Sequence, residues 1–185
     1  MAQEKDPRES SSPILFAGIA NSYFNAFDII WLSNFEQVHP FHWDKSLIFH
    51  PISNLLGVCI ETSIKGLLVC RGLNCPRTHN IEKLLNLLGD NELELTIAKD
   101  LSGLSIPEEV RDANSDKDRP TLEAMYRRHH YHIHMLNRVY DRPFASRYPV
   151  LGGHCLPDLF ALRIIADRLS KELHLEMRHW HPSKN

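Results

Sequence analysis

The stretch "ISNLLGVCIETSIKGLLVCRG", residues 52–72, decides the fold of this chain. Leucine, isoleucine and valine recur in it at three- and four-residue steps, which predicts a helix with a buried side. Proline suits the first turn of a helix and glycine its carboxyl end. We therefore expect a long helix from about Pro51 to Gly72. Its core-facing side comprises Ile52, Leu55, Leu56, Cys59 and Ser63.

Two charged residues, Glu61 and Lys65, lie one turn apart on the other side of this helix. The acid precedes the base, which is the favourable order for an ion pair within a helix. On the surface such a pair contributes only a few tenths of a kcal/mol. The spacing therefore fits a simple surface pair as well as a pair with a function.

The segments on either side of this helix also have helical patterns. Ser12 and Pro13 predict the start of a first helix that runs to about Val38, and Thr78 is predicted to cap a short helix closed by Gly89. Further helical patterns cover about 90–101, Pro120–Tyr140 and Pro157–Met177, while residues 103–120 are predicted to form a surface loop. No segment alternates like a strand. We predict an all-α antiparallel bundle of four long helices with one or two short ones.

Length and composition predict one domain. The chain has 185 residues, of which 43% are hydrophobic, and we expect a single helical domain over residues 13–180 after a disordered tail over residues 1–12. The net charge of −2 argues against a protein that coats nucleic acid or anionic membranes. The tail has no apolar run, so it is not a signal peptide.

The first helix is nearly long and apolar enough to span a membrane. Asn21, Asn25 and Asp28 are spread along it, and each is costly in lipid, so we predict a core helix and no membrane association. The four cysteines have neither a CxxC pair nor a regular spacing, which indicates reduced thiols. These features together predict a cytoplasmic protein.

The densest run of histidines is "YRRHHYHIHMLNR", residues 126–138. His130 and His134 are spaced to share a metal, but no third ligand follows from the spacing, so we predict neither a metal nor another cofactor. His129 falls on the apolar stripe, and His132 lies at its edge. Arg127 shares a flank with His130 and His134. The run therefore fits either phosphate binding or a solvated basic face.

A second polar segment, "SRYPVLGGHCLPDL", covers residues 146–159. Pro149 and the two glycines that follow predict a turn, across which Arg147 and His154 could converge. An imidazole can take a proton from a ribose 2′-hydroxyl while a guanidinium stabilises charge that develops on the phosphate. Taken alone, the pattern is more typical of a loop arginine that is anchored by carbonyl groups.

Several motifs occur together in an order that resembles the HEPN domain family. They are "ETSIKGLLVCRG" with Glu61 and Lys65, "PRTHNIEKLL" with His79, and "FASRYP" with Arg147 and Tyr148, followed by an apolar helix. The resemblance covers about residues 45–175. It implies a helical bundle that dimerises and has a polar cleft near the dimer axis.

The resemblance also implies a link to RNA or nucleotides. Family members that cleave RNA carry an arginine followed after four to six residues by a histidine, and they act without a metal, often as toxins or defence proteins with a nucleotidyltransferase-like partner. On this basis Arg147 and His154 are the predicted catalytic residues. The predicted substrate-binding residues are Glu61, Lys65, His79, Tyr148 and Arg127.

Two alternatives to an endoribonuclease stay open. In cleaving members a small polar residue commonly follows the arginine, whereas Tyr148 and Pro149 follow it here, as in members that are binding or accessory domains. The first alternative is therefore a non-catalytic module that holds a nucleotide, an RNA or a partner enzyme. The second is an interaction protein with no role in nucleic-acid binding.

Overall fold

The computed structural model describes residues 12–34, 43–102, 122–140 and 158–181, and of Asn34, residues 43–50, residues 122–128 and Val139 it describes the backbone alone. The helices in these ranges are α1 Pro13–Asn34, α2 Trp43–Cys70, α3 Ile81–Leu88, α4 Asn91–Leu101, α5 Leu122–Tyr140 and α6 Leu159–Met177. Four of them are long, two are short, and the described ranges contain no strand. The predicted all-α class is confirmed.

Helix α2 lies at the centre of the bundle, where it contacts α1, α3, α5 and α6. At Gly66 the helix packs closely against two neighbours, since a Cβ atom there would lie 2.7 Å from Leu173 Cδ2 in α6 and 3.1 Å from Phe16 Cβ in α1. The helix contributes many fully buried apolar side chains to the core, including Ile52, Leu56, Ile60, Ile64, Leu67 and Leu68. Their burial is the main source of stability in such a bundle.

Helices α1 and α6 run antiparallel along one side of α2. Near the end of α1, Trp31 contacts Phe160 at the start of α6, with ring centroids 4.8 Å apart. In the first half of α1, Asn21 Nδ2 lies 3.1 Å from Nε2 of His174, near the end of α6. Between these contacts Arg163 Nε donates to Asp28 Oδ1 over 3.0 Å. The two helices are therefore matched by polar as well as aromatic pairs.

Helix α2 begins earlier than predicted. It starts at Trp43, and Pro51 lies inside it. The predicted start near Pro51 is wrong because a proline there removes only its own hydrogen bond to the carbonyl four residues earlier, and the helix continues on both sides. Its predicted end is confirmed: Gly72 has φ 66°, and Leu73 N donates to Leu68 O over 2.8 Å. This is a Schellman cap.

The start of α3 also differs from the prediction. Asn80 is the N-cap, and its side chain accepts from Lys83 N over 2.9 Å. Thr78 Oγ1 instead accepts from Asn80 N at 3.1 Å, so the threonine stabilises the turn before the helix. The predicted closure at Gly89 is confirmed, with φ 60°.

An ion-pair network joins the ends of three helices. Arg71, just after α2, donates through Nε to Glu176 Oε1 in α6 over 2.7 Å and through Nη2 to Asp90 Oδ2 over 2.7 Å. Asp90 also caps α4 by accepting from Leu93 N over 2.9 Å. These contacts fix the ends of α2, α4 and α6 relative to one another.

Within the part of the chain that the structure describes, two segments are long and apolar enough to cross a membrane by length and composition, Pro13–Ser33 and Pro51–Cys70. In the protein 72% of the second is buried, as is typical of the core helix of a soluble protein, but only 17% of the first. The prediction that α1 is a core helix is therefore wrong for most of its surface. Its buried side comprises Pro13, Ala17, Ala20 and Phe27.

Candidate functional site

A buried carboxylate, Glu61 in the middle of α2, is the centre of the candidate site. It is only 6% exposed. Lys65 Nζ donates to Glu61 Oε1 over 2.6 Å, and the Tyr140 hydroxyl donates to Oε2. His79 Nδ1 lies 3.1 Å from Oε2. One carboxylate thus gathers three donors from α2, from the turn before α3 and from the end of α5.

The pair of Glu61 and Lys65 is not a surface pair. Their side chains are 7% and 14% exposed, so the interpretation as simple surface support is wrong. The spacing correctly predicts that the two side chains meet, because residues four apart lie on the same side of a helix. Because the pair is buried, removal of either residue would leave the other charge in the core without a partner, and this would destabilise the fold.

The turn that carries His79 is anchored on two sides. Asn80 caps α3, and Asn137 Oδ1 in α5 accepts from Ile81 N over 2.8 Å. Asn137 is itself 7% exposed, so α5 is tied to the first residue of α3 by a buried hydrogen bond. The turn is thereby held at a fixed place beside Glu61, although the His79 side chain is 73% exposed.

Tyr140 reaches Glu61 because Gly57 leaves room for its ring. A Cβ atom at position 57 would lie 2.5 Å from Tyr140 Cδ2, closer than real carbon atoms approach. Sequence reasoning missed both residues as parts of the site. A signal for Gly57 does exist, because it lies one turn before Glu61 on the same side of α2. No local pattern identifies Tyr140, which lies 79 positions from its partner.

The protonation states of this cluster follow from its contacts. Burial alone would raise the pKa of Glu61, but hydrogen bonds from Lys65, Tyr140 and His79 outweigh it and lower that pKa below its ordinary value. The pKa of Tyr140 is raised by burial and by the neighbouring Glu61 charge. At neutral pH the site therefore holds a carboxylate anion and a protonated tyrosine.

His79 is the member of the cluster that faces solvent. Because Nδ1 points at the carboxylate, the opposite ring nitrogen, Nε2, points away from it. A carboxylate that accepts from one imidazole nitrogen fixes the tautomer and the orientation of the ring. The arrangement presents a positioned imidazole nitrogen at the protein surface, backed by Lys65 and Tyr140, and such a nitrogen can accept or donate a proton.

The histidine run on α5 divides between core and surface. His129 and His132 are buried, and both ring nitrogens of His129 lack a hydrogen-bond partner. His130 and His134 are exposed, and they lie 3.5 Å and 3.1 Å from the carboxylates of Glu94 and Glu82. Among the residues that the structure describes, no group of three or more histidine, cysteine, aspartate or glutamate side chains is arranged to hold a metal ion.

The structure brings together three of the predicted site residues, Glu61, Lys65 and His79. The predicted catalytic pair, Arg147 and His154, lies outside the described residues, as does Tyr148. Arg127 lies in α5, whose backbone is described there, but its side chain is not. Roles for these four residues stay predictions.

Comparison with known proteins identifies the family. The model of the HEPN domain matches residues 56–150, which is just over half of the 185 residues. The matched part begins within α2 and includes Glu61, Lys65, His79, Tyr140 and Arg147, whereas His154 lies beyond it. Searches of curated proteins and of solved structures gave no match. With its all-α bundle and this match, the chain belongs to the HEPN domain family.

Proposed function

We propose that this HEPN-domain protein acts on RNA through the surface around His79, beside Glu61. The observation that carries the proposal is the exposed imidazole of His79, held by a buried carboxylate that also binds Lys65 and Tyr140. A histidine that is 73% exposed gains little stability from such a partner. The contact with Glu61 fixes the orientation of the His79 imidazole, and a fixed orientation favours ligand binding by the other ring nitrogen.

The charges of the Glu61 cluster fit contact with a nucleotide or a short RNA segment better than non-specific binding along a polyanion. The positive charge of Lys65 is balanced by Glu61 at 2.6 Å, and the whole chain has a net charge of −2. A protein that coats RNA needs a strong basic excess. We therefore propose recognition of a short RNA segment or a nucleotide, with His79 contacting a ribose hydroxyl or a phosphate oxygen.

In the catalytic version of this proposal, the protein is a metal-independent endoribonuclease of the toxin or defence type. In it Arg147 binds the phosphate and stabilises the developing charge, and His154 serves as the general base or acid. The ribose 2′-hydroxyl loses its proton to the base, and its oxygen forms a bond to the adjacent phosphorus. The bond from phosphorus to the 5′-oxygen breaks, and that oxygen takes up a proton. The products are a 2′,3′-cyclic phosphate and a 5′-hydroxyl.

The second candidate is a non-catalytic module that binds a nucleotide, an RNA or a nucleotidyltransferase-like partner protein. One observation favours it: Lys65 and Tyr140 both donate to Glu61, so these two side chains are engaged within the protein. Such a network is well suited to holding a binding surface in shape. A homodimer in the cytoplasm, built from one domain over residues 13–180, belongs to both versions of the proposal.

Incubation of the protein with end-labelled RNA in EDTA tests the proposal. The parent should produce fragments with a 5′-hydroxyl and a cyclic phosphate. Because general acid–base catalysis contributes about 10²–10⁴-fold, Arg147→Ala and His154→Ala should each lose at least about 100-fold in rate. We expect His79→Ala to weaken RNA binding. His134→Ala is the matched control, since His134 is also exposed and also lies 3.1 Å from a carboxylate.

The outcomes separate the candidates. Binding of RNA without cleavage, weakened by His79→Ala but not by His134→Ala, would support the binding module. Cleavage that persists in His154→Ala would contradict the catalytic role of His154. Failure of the parent both to bind and to cleave RNA or nucleotides would remove the proposal altogether. Toxicity on expression that Arg147→Ala abolishes would support the toxin version.

A further inference from the structure

A groove between α1 and α6 contains no residue of the Glu61 cluster. Its volume is about 500 Å³, and small-molecule sites commonly have volumes of about 300–1,000 Å³. None of its lining residues falls within the matched residues 56–150. The α1 wall comprises Asn21 and Phe24, and the α6 wall comprises Asp167, Arg168, Ser170, Lys171, His174, Leu175 and Arg178.

A ring of hydrogen bonds joins the two walls of the groove. Ser170 Oγ donates to Asn21 Oδ1 over 3.3 Å, and Asn21 Nδ2 lies 3.1 Å from His174 Nε2. His174 Nδ1 lies 2.7 Å from the carbonyl oxygen of Ser170, which can only accept. The Nδ1 atom therefore carries the proton, and Nε2 accepts from the amide. Because an amide has two N–H groups, the second one of Asn21 can donate to a ligand.

Apolar side chains line both walls of the groove. Phe24 packs against the hydrophobic core, and the guanidinium carbon of Arg163 lies 5.5 Å from the centroid of its ring. Leu175 on the α6 wall is 50% exposed. An apolar group that contacts both Phe24 and Leu175 would remove apolar surface from water, which favours binding. The groove therefore fits a ligand with an apolar body.

The charges along the groove leave one positive charge without a counterion. Lys171 Nζ donates to Asp167 Oδ2 over 2.6 Å, and Arg168 Nε lies 2.7 Å from Asp100 Oδ2. Arg178 is exposed, and no carboxylate of the residues that the structure describes is paired with it. The lining therefore favours a ligand with a single negative charge.

We propose that this groove binds a carboxylate that carries an apolar chain, as a fatty acid does. The carboxylate binds Arg178, since a guanidinium offers paired N–H donors that match two carboxylate oxygens, and Asn21 adds a further donor. Because α1 and α6 run antiparallel, Phe24 lies further from Arg178 than Asn21 does. The apolar chain therefore runs away from Arg178, past Leu175 and towards Phe24.

The charge of the groove distinguishes this ligand from others. A phosphate monoester carries about −1.5 to −2 charges at pH 7, whereas a carboxylate carries one. The second charge of a phosphate would find no free cation in the groove, and Asp167 would repel it. An uncharged lipid would leave Arg178 without a counterion. A carboxylate with an apolar chain uses both the cation and the apolar lining.

Titration of the full chain with octanoate, followed by nuclear magnetic resonance, tests the inference. Octanol lacks the charge of this probe, and acetate lacks its apolar chain. The parent should bind octanoate about fivefold more tightly than octanol, because the carboxylate pairs with one exposed cation, and should bind acetate more weakly than either. The backbone amide signals that shift should belong to residues 21–24 and 167–178.

Two pairs of variants locate the site. Arg178→Gln should weaken octanoate binding about fivefold and leave octanol binding unchanged. Arg138→Gln is its matched control, since Arg138 is an exposed arginine in the last turn of α5. Leu175→Ser should weaken binding of both probes, whereas Leu87→Ser should weaken neither, although Leu87 is also about half exposed, at 51%. Far-ultraviolet circular dichroism checks that each variant is folded.

Failure of the parent to bind octanoate below its micelle-forming concentration would overturn the inference. Octanol that binds as tightly as octanoate would also overturn it, because the cation would then have no role. The same holds if Arg138→Gln or Leu87→Ser reduces binding as much as its counterpart in the groove does. Octyl phosphate that binds more tightly than octanoate would overturn the assignment of the ligand as a carboxylate.

Discussion

Glu61 and His129 are both ionisable side chains buried in this bundle, but their surroundings differ. Glu61 accepts from Lys65, His79 and Tyr140, and these donors hold its pKa below the ordinary value. His129 has no hydrogen-bond partner on either ring nitrogen, and burial, with the charges of His130 and His132, lowers its pKa to about 3. Burial thus leaves the first group charged and the second neutral.

The difference shows what a buried polar group needs. A charge is retained in the core only where several donors replace water, whereas a weak base without partners simply loses its proton. Glu61 therefore fixes the positions of the three side chains that donate to it. His129 acts as a packing residue, and the Glu94 carboxylate lies 3.8 Å from its Nε2, which is too far for a hydrogen bond. Of the two regions, the Glu61 cluster has the features of a site.

The largest effect is expected from Glu61→Leu. The substitution leaves the Lys65 ammonium, 14% exposed, without its partner, and the Tyr140 hydroxyl without its acceptor. Removing one member of a buried ion pair costs about 3–5 kcal/mol. Urea denaturation should show this loss in the free energy of unfolding. A loss below about 1 kcal/mol would mean that water already screens the pair.

The second prediction concerns pH. The unfolded chain protonates His129 near its ordinary pKa of 6.5, but the native protein does not until about pH 3. The unfolded state thus binds one more proton, and stability should fall from about pH 6.5 downward by roughly 1.4 kcal/mol per pH unit. His129→Leu should remove this slope in denaturation curves recorded from pH 7 to 5. An unchanged slope would contradict the assigned pKa.

Protonation of Glu61 affects stability at lower pH than protonation of His129, so the two contributions can be measured separately. Because the pKa of Glu61 is lowered in the native state, its stabilising contribution is complete above about pH 4.5 and is lost as the pH falls below that value. Glu61→Gln should therefore change the acid limb of the stability curve below pH 4.5. It should leave the slope between pH 7 and 5 as it is in the parent.

The third prediction tests the space beside Glu61. Gly57→Ala introduces a Cβ atom 2.5 Å from the Tyr140 ring and should cost about 1–3 kcal/mol, because the ring must move away from the carboxylate. Gly18→Ala is the matched control within an exposed helix. It meets open space and should stabilise the protein by about 0.5–1 kcal/mol. Equal effects of the two substitutions on thermal unfolding would contradict the close contact.

The smallest effect is expected from His129→Leu at pH 7. The imidazole is fully buried and its two nitrogens are unpaired, so replacing it with an apolar side chain removes a desolvation cost. We expect a gain of about 1 kcal/mol in the free energy of unfolding. A clear loss would show that His129 makes a polar contact that stabilises the core.

Sequence reasoning predicted the helices better than their ends. Apolar periodicity identifies α2, and the glycine after it marks its end, because both signals are local. The start of α2 was missed because Pro51 looks like a first-turn residue and the sequence does not reveal the turns that precede it. Thr78 and Asn80 are both good capping residues, and only the geometry of the turn selects the second.

The candidate site could be predicted only where its contacts are local or its motifs are familiar. Glu61 and Lys65 follow from helical spacing, and His79 follows from the resemblance to the family. Tyr140 could not be found, because its bond to Glu61 depends on how α5 packs against Gly57. The burial of Glu61 also could not be foreseen, since it depends on neighbours that are distant in the chain.

The close contact at Gly66 has a consequence for the smallest part of this chain that can fold independently. Gly66 lies between Phe16 and Leu173, and both lie outside residues 56–150. A fragment cut to the matched residues would keep the family motifs but would lose α1 and α6, which both pack against α2. We expect such a fragment to be insoluble or unstructured when expressed alone. A useful truncation therefore has to retain Phe16 at one end and Glu176, the partner of Arg71, at the other.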